Sequence, residues 1–166
     1  MAFAVVSILA AGLLVAAGLP KLTSGAARTD TGLPGWVPTG AVLGVVEVGV
    51  GLLVLLTGST AALALLAMLY LSFTAVSAHQ YRAGVADCGC FGTQPVRPSG
   101  LHVVLNAVLT LGAVATVFVG WPTMSTAVTL GVTFLSVVGG YVLSALMGEA
   151  AEISRLVGES EAARAR

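Results

Sequence analysis

AALALLAMLYLSFTAVSAHQY, residues 61–81, contains no aspartate, glutamate, lysine or arginine from end to end. A helix of that length rises about 30 Å at 1.5 Å per residue, which matches the thickness of a hydrocarbon core. Four further runs of similar length lie around it, at about 2–19, 40–56, 101–119 and 125–147, and only the second holds a charge, Glu47. The pattern predicts an all-α fold: a polytopic membrane helix bundle of four core transmembrane helices plus a fifth, over residues 1–148. A charged helical tail over 149–166 follows, with a small apolar face of Ile153, Leu156 and Val157.

Composition agrees. The chain is 57% hydrophobic and 8% charged, and seven basic residues balance seven acidic ones. Soluble domains carry about a quarter of their residues as charges. Without a basic or acidic excess, nucleic acid and polyanionic substrates are excluded as partners. The expected surroundings are a lipid bilayer, and the expected location is a cell membrane crossed several times. The first run lacks the basic n-region and small-residue cleavage site of a signal peptide, so a retained helix is expected.

Pro20-Lys21 is predicted to end the first helix, with the lysine snorkelling to the interface. Gly40, Gly44, Gly49 and Gly51 give the second helix small residues for close backbone approach. Gly58-Ser59-Thr60 reads as a tight turn, and Ser99 after Pro98 as a helix N-cap.

Five spans put the first and third loops and the tail on one face. That face holds Lys21, Arg28, Arg82, Arg97, Arg155, Arg164 and Arg166, which is every basic residue in the chain. The positive-inside rule then predicts a cytoplasmic third loop and C-terminus.

The third loop, residues 82–100, carries Asp87-Cys88-Gly89-Cys90-Phe91-Gly92, with the only two cysteines of the sequence. Random placement gives this spacing roughly once in 80 trials, so chance is a weak explanation. Two thiols this close can cycle between dithiol and disulfide, or hold a soft metal ion. A disulfide across one residue closes a small ring and is expected to be comparatively oxidising. Asp87 opposes a thiolate, whereas Arg82 and Arg97 favour one.

Three more residues belong to the candidate chemistry. Glu47 lies about 10 Å into its helix, where a carboxyl is costly unless it is paired, protonated or hydrated. It would relay protons during thiol exchange, or brace the bundle by pairing with Lys21. His79 and His102 bracket the cysteine loop. His102 is a candidate general base for the thiols, and His79 and His102 with Cys88 and Cys90 would alternatively make a Cys2His2 site for zinc or copper. Asn106 lies one turn beyond His102 on the same helical face, where a buried amide wants a hydrogen-bond partner.

With these residues in view, Cys88-Gly89-Cys90-Phe91-Gly92 after the third helix resembles the signature of the MauE family of methylamine-utilisation membrane proteins. Gly18-Leu19-Pro20-Lys21-Leu22 and Glu47 with Gly49 and Gly51 resemble the wider DoxX-like group. The likeness covers about residues 1–119, the four-helix core. It implies a part in maturing a disulfide-rich enzyme subunit outside the cytoplasm, and hence thiol–disulfide work. The fifth helix and tail extend past that core, and the charge pattern puts the cysteines on the opposite side from an exported substrate.

The expected function is a membrane thiol–disulfide redox or maturation protein, an oxidoreductase if it turns over, using Cys88 and Cys90 with Glu47 and His102. One cysteine pair leaves the second half-reaction to a quinone, a thioredoxin-like protein or a small thiol. The alternatives are a soft-metal binding or transport protein and a non-catalytic assembly subunit.

Overall fold

The computed structural model describes residues 2–23, 40–85, 99–121 and 131–140, together with positions 128, 142 and 153. Among the described residues the regular structure is all helical: α1 (Ala2–Thr23), α2 (Ala41–Thr57), α3 (Thr60–Ala83), α4 (Gly100–Val119) and α5 (Gly131–Gly140). Helices α1, α3 and α4 are long and apolar enough to cross a membrane, and α2 and α5 are shorter apolar helices. The sequence predicted such an all-α bundle. The greater part of the cysteine loop and all of the tail but Ile153 lie outside the described residues.

Helix α1 is the axis of the bundle. It packs most extensively against α2, then α4, while α3 pairs mainly with α4. Its small and branched residues Ile8, Ala11, Leu14 and Val15 form one core with Leu63 and Leu66 of α3 and Leu109 and Ala113 of α4. The outer surface is apolar as well: Leu56 and Phe118 are 80% and 84% exposed. A bundle that is apolar on both faces has lipid, not water, as its solvent.

Without a hydrophobic difference between lipid and interior, helix contact depends on close packing and on hydrogen bonds. Both are present. A Cβ built on Gly51 would stand 2.7 Å from Ala11 O and 2.8 Å from Val15 Cγ2, and one on Gly18 would stand 2.8 Å from Gly44 O. Gly49 meets nothing within 4 Å, so the contact ridge of α2 is Gly44 and Gly51, two turns apart. Ser7 of α1 lies 2.8 Å from Thr116 Oγ1 of α4, and the Tyr70 hydroxyl donates to Ala10 O at 2.8 Å, tying α3 to α1. Helix α5 also reaches α1, where Ser136 fills the space left by Gly12.

The α2–α3 turn follows from its residues. Gly58 takes the left-handed conformation (φ 55°) and donates its N–H to Val54 O, ending α2, and Ser59 Oγ accepts from Ala62 N–H to start α3. The Trp121 indole lies over Gly58, which puts the end of α4 beside this turn. The opposite end of the bundle therefore gathers the last turn of α1, the first turns of α2, the end of α3 and the start of α4.

The first helix does not stop at Pro20. It continues through that residue to Thr23, whose hydroxyl donates to Leu19 O and Pro20 O. Proline cannot donate its own helical bond, but one missing bond is tolerable where a neighbouring helix holds the turn in place. Here α2 does so.

These contacts set two unlike glycines side by side. Gly51→Val should destabilise the bundle by about 1–3 kcal/mol through overpacking against α1. Gly49→Ala should leave it unchanged or raise stability by up to about 1 kcal/mol through helix propensity. Unfolding curves of the detergent-solubilised variants check both outcomes.

Candidate functional site

Lys21, in the last turn of α1, and Glu47, in the second turn of α2, form a buried ion pair. Nζ donates to Glu47 Oε1 at 2.5 Å, and each side chain is 2% exposed. The glycines make this possible. Gly44 leaves room for Lys21 Cβ and Gly18 for Glu47 Cβ, so the two backbones come together and the charges close between them. The expected snorkelling of Lys21 is thus corrected, because a carboxylate inside the bundle offers the ammonium a closer partner than the interface does. Glu47 Oε2 has no hydrogen-bond partner among the described residues. The bracing contact weighed for Glu47 is formed.

A second group of polar side chains lies where α3 ends and α4 begins. His102, 4% exposed, sits in the first turn of α4 with Nδ1 2.8 Å from Ser99 Oγ. Ser99 does occupy the N-cap place, but its side chain makes no capping bond to the backbone. One turn on, the half-buried Asn106 donates from Nδ2 to Ser77 Oγ of α3 at 3.3 Å, which supplies the partner expected for its amide. Gln80, in the last turn of α3, is fully buried.

The two histidines differ in their surroundings: His102 is buried and His79 is exposed. Among the described residues no group of three or more His, Cys, Asp and Glu side chains is placed to hold a metal ion. Cys88 and Cys90 lie outside the described residues, as do Asp87 and Arg97.

Sequence reasoning passed over Ser77, Gln80 and the contact between Ser99 and His102. A signal was available. Polar residues recur at i, i+3 and i+7 over Ser99, His102 and Asn106, and at i, i+3 over Ser77 and Gln80. The two sets lie on the facing sides of α3 and α4 and meet at Ser77 and Asn106.

A comparison with protein-family models matches residues 1–119 to the family described as methylamine utilisation protein MauE. The matched part spans α1 to α4. No curated protein and no solved structure matches the chain.

The ion pair has a measurable signature. Lys21→Met alone should cost about 3–5 kcal/mol, since it leaves the Glu47 carboxylate uncompensated inside the bundle, and Glu47→Leu should cost less, since the Lys21 stem can carry its ammonium back towards the headgroups. The double variant should recover most of that loss, because two apolar side chains replace both charges at once. Equal losses in the single and double variants would show that the pair does not brace the bundle.

Proposed function

The chain belongs to the MauE family, and from that membership and its paired cysteines we propose that this multi-pass membrane protein of methylamine utilisation matures a partner protein by thiol–disulfide exchange. The observation that carries this proposal is the Cys88-Gly89-Cys90 pair in the connection between α3 and α4. Cys88 is three residues from Val85, a reach of at most about 11 Å. The helix ends flanking the connection hold buried Ser77, Gln80 and His102. Polar helix ends on either side of the connection that carries the two cysteines support a reading with proton-coupled chemistry there.

In the proposed reaction, one cysteine thiolate attacks a disulfide of the partner, forming a mixed disulfide and releasing a partner thiolate. The second cysteine then attacks the mixed disulfide. Two electrons and two protons pass to the partner, which becomes a dithiol, while Cys88 and Cys90 become a disulfide. The reverse direction uses the same steps. A quinone, a thioredoxin-like protein or a small thiol resets the pair. His102, buried in the first turn of α4, serves as the proton acceptor in this reading. Glu47 is the second proton-handling group, held by Lys21.

The proposed organisation is one bundle over 1–148 with the charged tail 149–166 outside it, and the cysteine loop and tail in the cytoplasm. With Lys21 paired inside the bundle, the charge argument rests on the six arginines, all on that face.

Two measurements test this. Cys88→Ser or Cys90→Ser should accumulate a mixed disulfide with the partner, because the resolving sulfur is gone. Stoichiometric zinc or copper in the anaerobically purified protein, lost with either cysteine or with His102, and no mixed disulfide from either variant, would instead establish a metal site. In intact cells, a membrane-permeant maleimide should label both thiols and an impermeant one neither. Labelling by the impermeant reagent would put the loop outside.

A further inference from the structure

We propose that the second carboxylate oxygen of Glu47, Oε2, is a proton-binding site, and that the proton it takes unlatches Lys21 from the bundle interior. The latch deepens the proton-handling part given to Glu47 above. It needs neither cysteine, so its failure would leave thiol exchange standing.

The ion pair is satisfied on one side only. Glu47 Oε1 accepts from Lys21 Nζ at 2.5 Å, whereas Oε2 has no hydrogen-bond partner among the described residues, although Glu47 is 1% exposed. A buried acceptor left unmet costs free energy. A proton at Oε2 removes the charge and turns that acceptor into an O–H donor.

The surrounding helices offer Lys21 no other anchor. Helix α2 packs against α1 and α3. On α1 the only charged residue is Lys21, and on α2 it is Glu47. Helix α3 brings Tyr70, His79, Tyr81 and Arg82. The last three are exposed at its end, while Tyr70, close enough to feel the Glu47 charge, commits its hydroxyl to Ala10 O. Helix α4 packs against α1 and α3, and its one titratable residue, His102, contacts Ser99. Glu47 is the only acidic residue among the described residues, so no second carboxylate there can take its place. The ammonium stays inside only while Glu47 is charged.

The two side chains differ in where they can go. Lys21 lies two residues before the end of α1, about 3 Å along the axis, and its flexible stem can carry the ammonium to the headgroups. Glu47 has a short side chain and sits against Gly18, where an added Cβ would stand 3.0 Å from its own. A neutral carboxyl is tolerated in a bilayer far better than an ionised one, whereas an unpaired ammonium is not. Neutralising Glu47 therefore removes the reason for Lys21 to stay, and Lys21 is the one that leaves. Gly18 and Gly44 hold the two backbones together, so the movement is that of one side chain.

One proton enters from the aqueous phase and forms the O–H bond at Oε2. The ammonium keeps its own protons, so the pair passes from no net charge to one positive charge, which Lys21 carries outward. Loss of the proton reverses both steps. The latch is closed while Glu47 is ionised and opens on acidification.

Lys21 is the only lysine of the chain, so its amine can be read without interference. In full-length protein labelled with ¹⁵N-lysine and held in lipid nanodiscs, lowering the pH should shift the single Nζ resonance. A protonated-carboxyl infrared band that Glu47→Gln lacks should rise with the same midpoint. At one fixed pH, Glu47→Gln should be acylated at Lys21 by a water-soluble reagent roughly tenfold or more faster than the unsubstituted chain, since a buried, paired group reacts only through rare opening. A rising band with an unmoved Nζ resonance overturns the latch and leaves Glu47 a proton site. Absence of the band overturns both. The Nζ titration is read on the unsubstituted chain, so an unmoved resonance over the whole pH range in which the protein stays folded overturns the latch even if Glu47→Gln fails to fold.

Discussion

Much of this bundle follows from the need to place two opposite charges where neither can stay alone. An ammonium or a carboxylate within a bilayer is expensive, and Lys21 and Glu47 offset that cost only by meeting. Their meeting dictates the rest of the α1–α2 interface. The helices must approach within backbone contact, which requires Gly18 and Gly44 at the crossing and Gly51 two turns further on. It also keeps α1 helical beyond Pro20, because the lysine that must be delivered lies one residue past the proline. Core packing of α3 and α4 is then arranged around a pair of helices whose separation is already decided.

The fold was legible in the sequence because a membrane imposes a simple rule. Every backbone polar group must be satisfied within the segment, so a long uncharged run has one available conformation. The residues 61–81, 101–119 and 2–19 read as helices for that reason, and Gly58-Ser59 as a turn because the two residues supply a left-handed cap and an N-cap in succession. The fate of Lys21 was not legible. Sequence position alone makes it an interfacial residue, and its burial depends on Glu47, 26 positions away. Likewise, Gly49 and Gly51 look equivalent along the chain, and only the rotation of α2 against α1 separates the glycine that packs from the one that does not.

The candidate site divides in the same way. The burial of Glu47 and the need of Asn106 for a partner could be read from residue types and spacing, whereas the cysteines lie outside the described residues. The diverging surroundings of His79 and His102 could not, since both stand near helix ends and differ only in which way the helix turns them. The use of Ser99 was hidden for a related reason. Its place as a cap is a local property, whereas the release of its hydroxyl depends on where the backbone N–H of His102 finds its acceptor.

The ion pair also bears on how the chain enters the membrane. During synthesis Lys21 emerges well before Glu47, with 25 residues between them, so for a time the lysine has no carboxylate to meet. In that interval its flexible stem lets the ammonium reach the headgroups, as a lysine near a helix end does. Arrival of α2 then draws it inward. Helices α1 and α2 are therefore expected to settle as a hairpin, with the transfer of one ammonium group from the headgroup layer to the bundle interior as the event that completes their insertion. The first helix is then expected to reach its final depth only after the second has been made.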